Sequence, residues 1–128
     1  MKDLRQHWAE GRPTHGLWSL LPGAVTAEVL ARTGADHVVV DLQHGAVGEA
    51  DLPGITAAIR AAAAVPLVRT RSSSFPDVGR PLDLGAHGVM SPTSATPSTP
   101  ARWSTRRGTH PTALARSAGS WAAPTSHW

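Results

Sequence analysis

The chain has 128 residues, the length of one domain, and it contains no cysteine, which excludes a disulfide framework and a thiolate metal site. Its net charge of +3 is uneven, because residues 1–90 hold eight basic and nine acidic side chains and residues 91–128 hold four arginines and no acid. The first residues lack an apolar signal segment, and no apolar run approaches the ~20 residues of a membrane helix. We therefore expect a cytoplasmic protein without a membrane partner.

The first predicted elements are a strand, a helix and a second strand. Residues 15–21 read as a short strand that ends at the turn signal Pro22-Gly23. Residues 24–34 have apolar side chains at helical spacing, and the glycine at position 34 marks the helix end. The β-branched run 37–42 is typical of a strand covered on both faces.

A second helix and a third strand follow. Residues 51–64 are predicted to form the helix, with Asp51 as its N-cap and Pro53 in its first turn. Residues 65–71 form the predicted strand, which is apolar until it reaches its arginines.

The last predicted elements complete an alternating pattern. Residues 73–85 are a short helical segment ended by Gly85, and residues 86–92 open a fourth strand. Alternation of strands and helices implies parallel strands joined by right-handed crossovers. Both an open doubly wound sheet and the first half of a (β/α)8 barrel fit, and both place chemistry at the carboxyl ends of the strands.

The segment 91–128 differs from the rest of the chain. Seven serines, seven threonines and five prolines make up half of its 38 residues, and no steady apolar period runs through it. This composition favours disorder or loose packing. We therefore divide the chain into an α/β domain at 1–90 and an irregular tail at 91–128.

His44 is the candidate proton acceptor, because it follows a buried strand and titrates near neutrality. Asp41 or Asp83 is a possible orienting partner for its ring. The alternative interpretation is a histidine that only satisfies its own loop.

Arg69 is the candidate anion-binding residue, because its guanidinium leaves an apolar strand at the carboxyl end. It is suited to hold a carboxylate through two parallel hydrogen bonds. The alternative is a structural ion pair with Asp83 or another acid. Asp83 itself is either a capping or helix-surface acid, or an acid hydrogen-bonded to His44.

The sequence contains no recognisable motif for a metal, dinucleotide, phosphate or nucleic-acid site. The histidine spacing matches no metal motif, and the glycines form neither a dinucleotide-binding nor a phosphate-binding loop. Four arginines in the tail are too few for a nucleic-acid arm, so we expect no nucleic-acid partner.

Three segments together resemble a known family. They are GLWSLLPGAVTAEVLARTGADHVVVDLQHG at 16–45, PLVRTRSS at 66–73 and VGRPLDLGAHGVM at 78–90. In order and spacing they resemble the N-terminal half of the HpcH/HpaI aldolases, the class II metal-dependent pyruvate aldolases, over residues 11–90. The resemblance implies part of a TIM barrel and a homo-oligomer, often a hexamer.

The resemblance also implies roles for the candidate residues. His44 would be the base, Arg69 would bind the substrate carboxylate and stabilise the enolate, and Asp83 would raise the pKa of the base. Asp41 matches the first acid of the family motif around the histidine. The implied reaction is reversible retro-aldol cleavage of a 4-hydroxy-2-oxo acid to pyruvate and an aldehyde, with Mg²⁺, Mn²⁺ or Co²⁺ as cofactor.

The tail departs from the family, whose metal ligands are a glutamate and an aspartate on later strands. Residues 91–128 contain neither residue type, so we expect the metal ligands to be missing and the chain to be inactive. A one-base shift after Met90 makes residues 108–113 compatible with RYPPHG, a signature that the family carries at this distance. The competing hypotheses are an aldolase-family enzyme and a non-enzymatic frameshift product that retains carboxylate affinity.

Overall fold

The computed structural model describes residues 2–92 and the backbone of 103–104. Helices and strands alternate along it after a short N-terminal helix. In chain order the elements are α1 Leu4–Ala9, β1 Gly16–Ser19, α2 Ala24–Arg32, β2 His37–Asp41, a 3₁₀ turn Glu49–Asp51, α3 Leu52–Ala61, β3 Val65–Arg69, α4 Phe75–Asp83, β4 Gly88–Met90 and β5 Trp103–Ser104. None of the helices in this part of the chain is long and apolar enough to cross a membrane.

The strand order distinguishes between the two folds that the sequence allowed. The strands lie in the order β1-β2-β3-β4-β5, and the first four are parallel. A doubly wound sheet reverses its strand order near the middle, whereas a barrel adds each strand beside the previous one. The sequential order is therefore that of a partial (β/α)8 barrel, as the resemblance implied.

The two faces of the sheet carry different cores, because side chains alternate along each strand. Val38, Val40 and Val68 are fully buried against the helices. Val39 and Leu67 point to the opposite, inner face. There they form a second buried cluster with Leu4 and Val65, and the partly buried Trp8 and Met90 pack against it.

The helix α1 was not predicted from the sequence. Asp3 caps it by accepting hydrogen bonds from the backbone N–H groups of Arg5 and Gln6, at 3.0 and 3.2 Å. Its apolar side chains Leu4 and Trp8 cover the inner face of the sheet. A helix of six residues is too short to be stable alone, so it depends on this packing in addition to the Asp3 cap.

An ion pair links the N-terminal segment to Asp36, the residue immediately before β2. Lys2 Nζ bonds the carboxylate of Asp36, which also accepts the backbone N–H of His15 at 2.7 Å. The Lys2 ammonium, with the His15 amide, lowers the pKa of the Asp36 carboxyl. This contact holds α1 against the amino ends of the strands.

Most predicted helices and strands are confirmed, with shorter bounds, and Asp51 holds the predicted N-cap position of α3, but the capping hydrogen bond expected of its side chain is absent. Its side chain makes no cap bond to α3; it accepts the backbone N–H of Gly48 at 3.0 Å and thereby closes the preceding 3₁₀ turn. Pro53 does lie in the first turn of α3. The sequence could not distinguish the two uses of this carboxylate, because both satisfy backbone N–H groups at a helix start.

The tail contributes one short strand that its composition did not indicate. Met90 and Val89 of β4 pair antiparallel with Trp103 and Ser104. Residues 93–102 and 105–128 lie outside the described part of the chain, and so does the prediction made for them. The division at residue 90 stays a prediction.

Candidate active site at the carboxyl edge

Asp41 organises the loop that carries the histidine. It is the last residue of β2, and its side chain is 2% exposed. Its Oδ1 atom accepts the backbone N–H groups of Gln43 and His44, at 2.8 and 3.0 Å. One carboxylate oxygen thus fixes the backbone turn that follows the strand. This explains why an aspartate stands three residues before the histidine.

Gly45 allows this loop to pack tightly. A Cβ atom at this position would lie 2.3 Å from the carbonyl oxygen of Asp41 and 3.1 Å from that of Leu20. The next residue, Ala46, donates its N–H to the same Leu20 carbonyl at 2.8 Å. The loop after β2 is therefore held against the end of β1, and only glycine fits at position 45.

Arg69 meets Asp41 across two neighbouring strands. The two residues are register partners at the ends of β3 and β2. Arg69 Nη1 lies 3.3 Å from Asp41 Oδ2, and the arginine side chain is 27% exposed. The arginine thus forms an ion pair with an acid other than Asp83, while part of its guanidinium stays accessible to solvent.

Trp18 is a residue of this site that the sequence analysis missed. Its ring centroid lies 5.4 Å from the guanidinium carbon of Arg69. The β1–β2 register pairs Trp18 with Val39, an inner-face residue, so strand alternation places its indole on the same face as Asp41 and Arg69. Only the register reveals this position, because β1 alone does not say which face is inner.

Arg71 is a second missed residue, and it supports the loop from the other side. Its Nε atom donates to the carbonyl oxygen of Leu42 at 3.1 Å, and its guanidinium lies 3.9 Å from Glu49. The loop between β2 and α3 is thus bound by Asp41 at its start and by Arg71 along its length.

His44 lies at the same edge of the sheet as Arg69, as the sequence predicted. Its side chain is exposed. Its backbone N–H, and not its ring, is the group bonded to Asp41. The expected orienting contact between Asp41 and the imidazole is therefore replaced by a backbone contact, which leaves the ring open to solvent.

Asp83 is not brought to His44 within this chain. It is the last residue of α4, which runs from the carboxyl edge back to the amino edge of the sheet. The backbone N–H of His87, four residues later, bonds Pro66 at the start of β3. Asp83 and His44 thus lie at opposite edges, and the functional role predicted for Asp83 stays a prediction.

The carboxylates at this edge do not form a cation site. Both oxygens of Asp41 are occupied, one by backbone amides and one by Arg69, and Glu49 lies beside Arg71. Across residues 2–92, no three His, Cys, Asp or Glu side chains are grouped to hold a metal ion. The residues present do not fit the divalent cation that the resemblance implies.

The chain is similar to curated aldolases. It is 39% identical over 92 residues to a hydroxypyruvate/pyruvate aldolase of Rhizorhabdus wittichii, a match that covers 72% of this chain and 37% of the relative. It is 38% identical over 77 residues to a 2-dehydro-3,6-dideoxy-6-sulfogluconate aldolase of Pseudomonas putida, covering 60% and 30%. The chain thus spans about a third of the length of these relatives. No model of a protein family matches it.

Solved structures give the same result. An HpcH/HpaI aldolase/citrate lyase family protein from Burkholderia cenocepacia superposes with a TM-score of 0.66 at 34% identity, over 73% of this chain and 38% of that one. The citrate synthase SbnG superposes with a TM-score of 0.65 at 31% identity, over 71% and 37%. The fold is that of part of a TIM-barrel aldolase. The chain belongs to the HpcH/HpaI aldolase family and matches the N-terminal part of its members.

Proposed function

We propose that this chain carries the carboxylate-binding and proton-transfer portion of an aldolase that cleaves a 4-hydroxy-2-oxo acid to pyruvate and an aldehyde. The observation that carries the proposal is the Asp41–Arg69 pair. Asp41 is the last residue of β2 and Arg69 is the last residue of the adjacent β3, and both lie beside the loop of His44. The similarity to aldolases over this same part of the chain supports it.

Arg69 is the residue suited to the substrate carboxylate. Its contact with Asp41 uses one nitrogen, and its partial exposure leaves other N–H groups for a ligand. A guanidinium matches the two oxygens of a carboxylate, and its charge also stabilises the enolate that forms when the carbon–carbon bond breaks.

His44 is the residue suited to move the proton. Its exposed ring lies at the edge where Arg69 would hold the substrate, on a loop that Asp41 and Gly45 fix in place. In retro-aldol cleavage, a base removes the proton from the substrate hydroxyl at carbon 4. Cleavage of the adjacent carbon–carbon bond then leaves the electron pair on the pyruvate enolate, which takes up a proton to give pyruvate.

Asp83 acts on His44 only if two copies of the chain meet, because one chain separates the two residues. This agrees with the homo-oligomer that the resemblance implies. In such an assembly the Asp83 carboxylate would lie near the imidazole and orient it by a hydrogen bond.

We further propose that the 128-residue chain itself does not catalyse cleavage of the 4-hydroxy-2-oxo acid. Its described residues offer no group of three cation ligands, and residues 93–128 add no carboxylate side chain. What the chain retains under this proposal is affinity for a carboxylate.

Two measurements test the proposal on the full chain. Pyruvate binding, followed by calorimetry or ligand-observed NMR, should weaken roughly tenfold or more in Arg69→Ala, since charged hydrogen bonds are lost. Arg80→Ala, which removes an exposed arginine of α4, is the matched control and should bind as the parent does. Pyruvate release from a 4-hydroxy-2-oxo acid with Mg²⁺, Mn²⁺ or Co²⁺ should be absent. Turnover that EDTA abolishes, or equal binding in both variants, would overturn the proposal.

A further inference from the structure

The guanidinium of Arg69 has an incomplete set of polar contacts for a group on a buried strand. Asp41 contacts it through a single oxygen at 3.3 Å, because the other oxygen accepts two backbone N–H groups. A single long contact does not fix the plane of a guanidinium, which is set by a two-point, parallel pair of bonds. A second contact is needed to define its orientation.

The indole of Trp18 supplies that second contact. It lies 5.4 Å from the guanidinium carbon, within the range of a cation–π interaction. Register and alternation place Trp18 on the inner face, on the strand next to the one that Asp41 ends. The side chain is 44% exposed, so burial in a core does not account for so large an apolar group at this position.

We propose that Trp18 is the positioning residue of Arg69. An aromatic face attracts the cation without accepting its N–H groups in hydrogen bonds. A second carboxylate in its place would neutralise the charge and occupy the donors. Trp18 therefore orients the guanidinium while its donors remain available to a carboxylate ligand. The inference deepens the proposed function and rests on it for the identity of that ligand.

The direct test is the NMR signal of the Arg69 side chain in the full, ¹⁵N-labelled chain. The Nε–H resonance of Arg69 is assigned by its disappearance in Arg69→Lys. The ring current of the indole should shift this resonance in the parent, and Trp18→Leu should return it towards the position of an exposed arginine. Trp18→Phe keeps an aromatic face and should retain part of the shift. Leu21→Ala, at a residue 62% exposed, is the matched control and should leave the signal unchanged.

Pyruvate binding gives the functional readout. Trp18→Leu should weaken it by roughly 3- to 10-fold, the range expected from a cation–π contact, and Trp18→Phe should restore part of the loss. Backbone spectra and thermal unfolding identify variants that fail to fold, and Trp18→Phe remains informative if Trp18→Leu is one of them.

The outcomes separate the two proposals. An Arg69 resonance that does not respond to either Trp18 variant overturns the positioning role, whether or not the affinity for pyruvate changes. An Arg69 resonance that responds while pyruvate fails to bind the parent chain supports the positioning role and overturns the proposed function. Weakened pyruvate binding in Trp18→Leu that Trp18→Phe does not improve counts against an aromatic contact.

Discussion

Asp41 and Arg69 end two adjacent parallel strands at the same register position, and Asp41 Oδ2 lies 3.3 Å from Arg69 Nη1. The same carboxylate binds the backbone of Gln43 and His44 through its other oxygen. One buried side chain thus joins the arginine to the loop of the histidine. A change at Asp41 should therefore affect both the arginine and the loop.

Replacing Asp41 should destabilise the chain in two ways, through loss of the ion pair with Arg69 and through loss of the hydrogen bonds to the loop. Asp41→Ala removes both the ion pair and the loop contacts, and we expect a loss of roughly 2–4 kcal/mol in the free energy of unfolding. Asp41→Asn keeps an oxygen for the two backbone N–H groups and should lose about half as much. Urea denaturation followed by circular dichroism measures both. Equal losses in the two variants would contradict the role given to the loop amides.

Gly45→Ala should destabilise the chain through backbone contact. Its new Cβ atom would meet the Asp41 carbonyl oxygen at 2.3 Å, which forces the loop to move. We expect a loss of roughly 1–3 kcal/mol, typical of overpacking. The matched control is Gly79→Ala in α4, where nothing lies within 4 Å of the added atom. That variant should gain about 0.5–1 kcal/mol, because alanine is the better helix former.

His37 should make stability depend on pH. Burial between Gly16 and Trp8 lowers the pKa of its imidazole, while the nearby Asp36 charge opposes this effect. The unfolded chain then binds a proton more readily, so stability is complete above the usual histidine pKa of about 6.5 and falls as the pH drops below it. His37→Phe, which keeps an aromatic ring, should reduce this loss. Unfolding free energies at several pH values between 5 and 8 measure it, and identical slopes for parent and variant would contradict the prediction.

The frame of the coding sequence gives a genetic prediction. If one base is restored between the codons of Met90 and Ser91, the reading frame should continue well past codon 128. It should reach roughly 250 codons, the usual barrel size, and encode the missing Glu and Asp on later strands. Sequencing the locus checks this. A stop codon within a few positions of Met90 in that frame would show that the tail needs another explanation.

The protein encoded by the restored reading frame should also have aldolase activity that depends on His44 and Arg69. His44→Ala should lower the rate of pyruvate release roughly 10²- to 10⁴-fold, as expected for a positioned acid–base group. Arg69→Ala should be more damaging than Arg69→Lys, and lysine should not restore the parent rate because it lacks the two-point fork. A His44→Ala variant that retains full activity would remove the histidine from the proposed mechanism.

The sequence by itself determined the order of the elements and the residues at the strand ends. Apolar runs, helical spacing and turn residues are local signals, and they predicted β1 to β4 and α2 to α4. They also predicted His44 and Arg69 at one edge, because parallel strands share their direction. The helix α1 was not predicted because its stability depends on packing against the inner face, which local sequence signals do not show.

Only the tertiary structure decided which residues meet. The sequential strand order showed a barrel segment, and the register paired Asp41 with Arg69 and brought Trp18 beside it. It also placed Asp83 at the edge opposite His44. Contacts between residues far apart in the chain depend on strand pairing and on which face is inner, and neither is encoded in the periodicity of any single element.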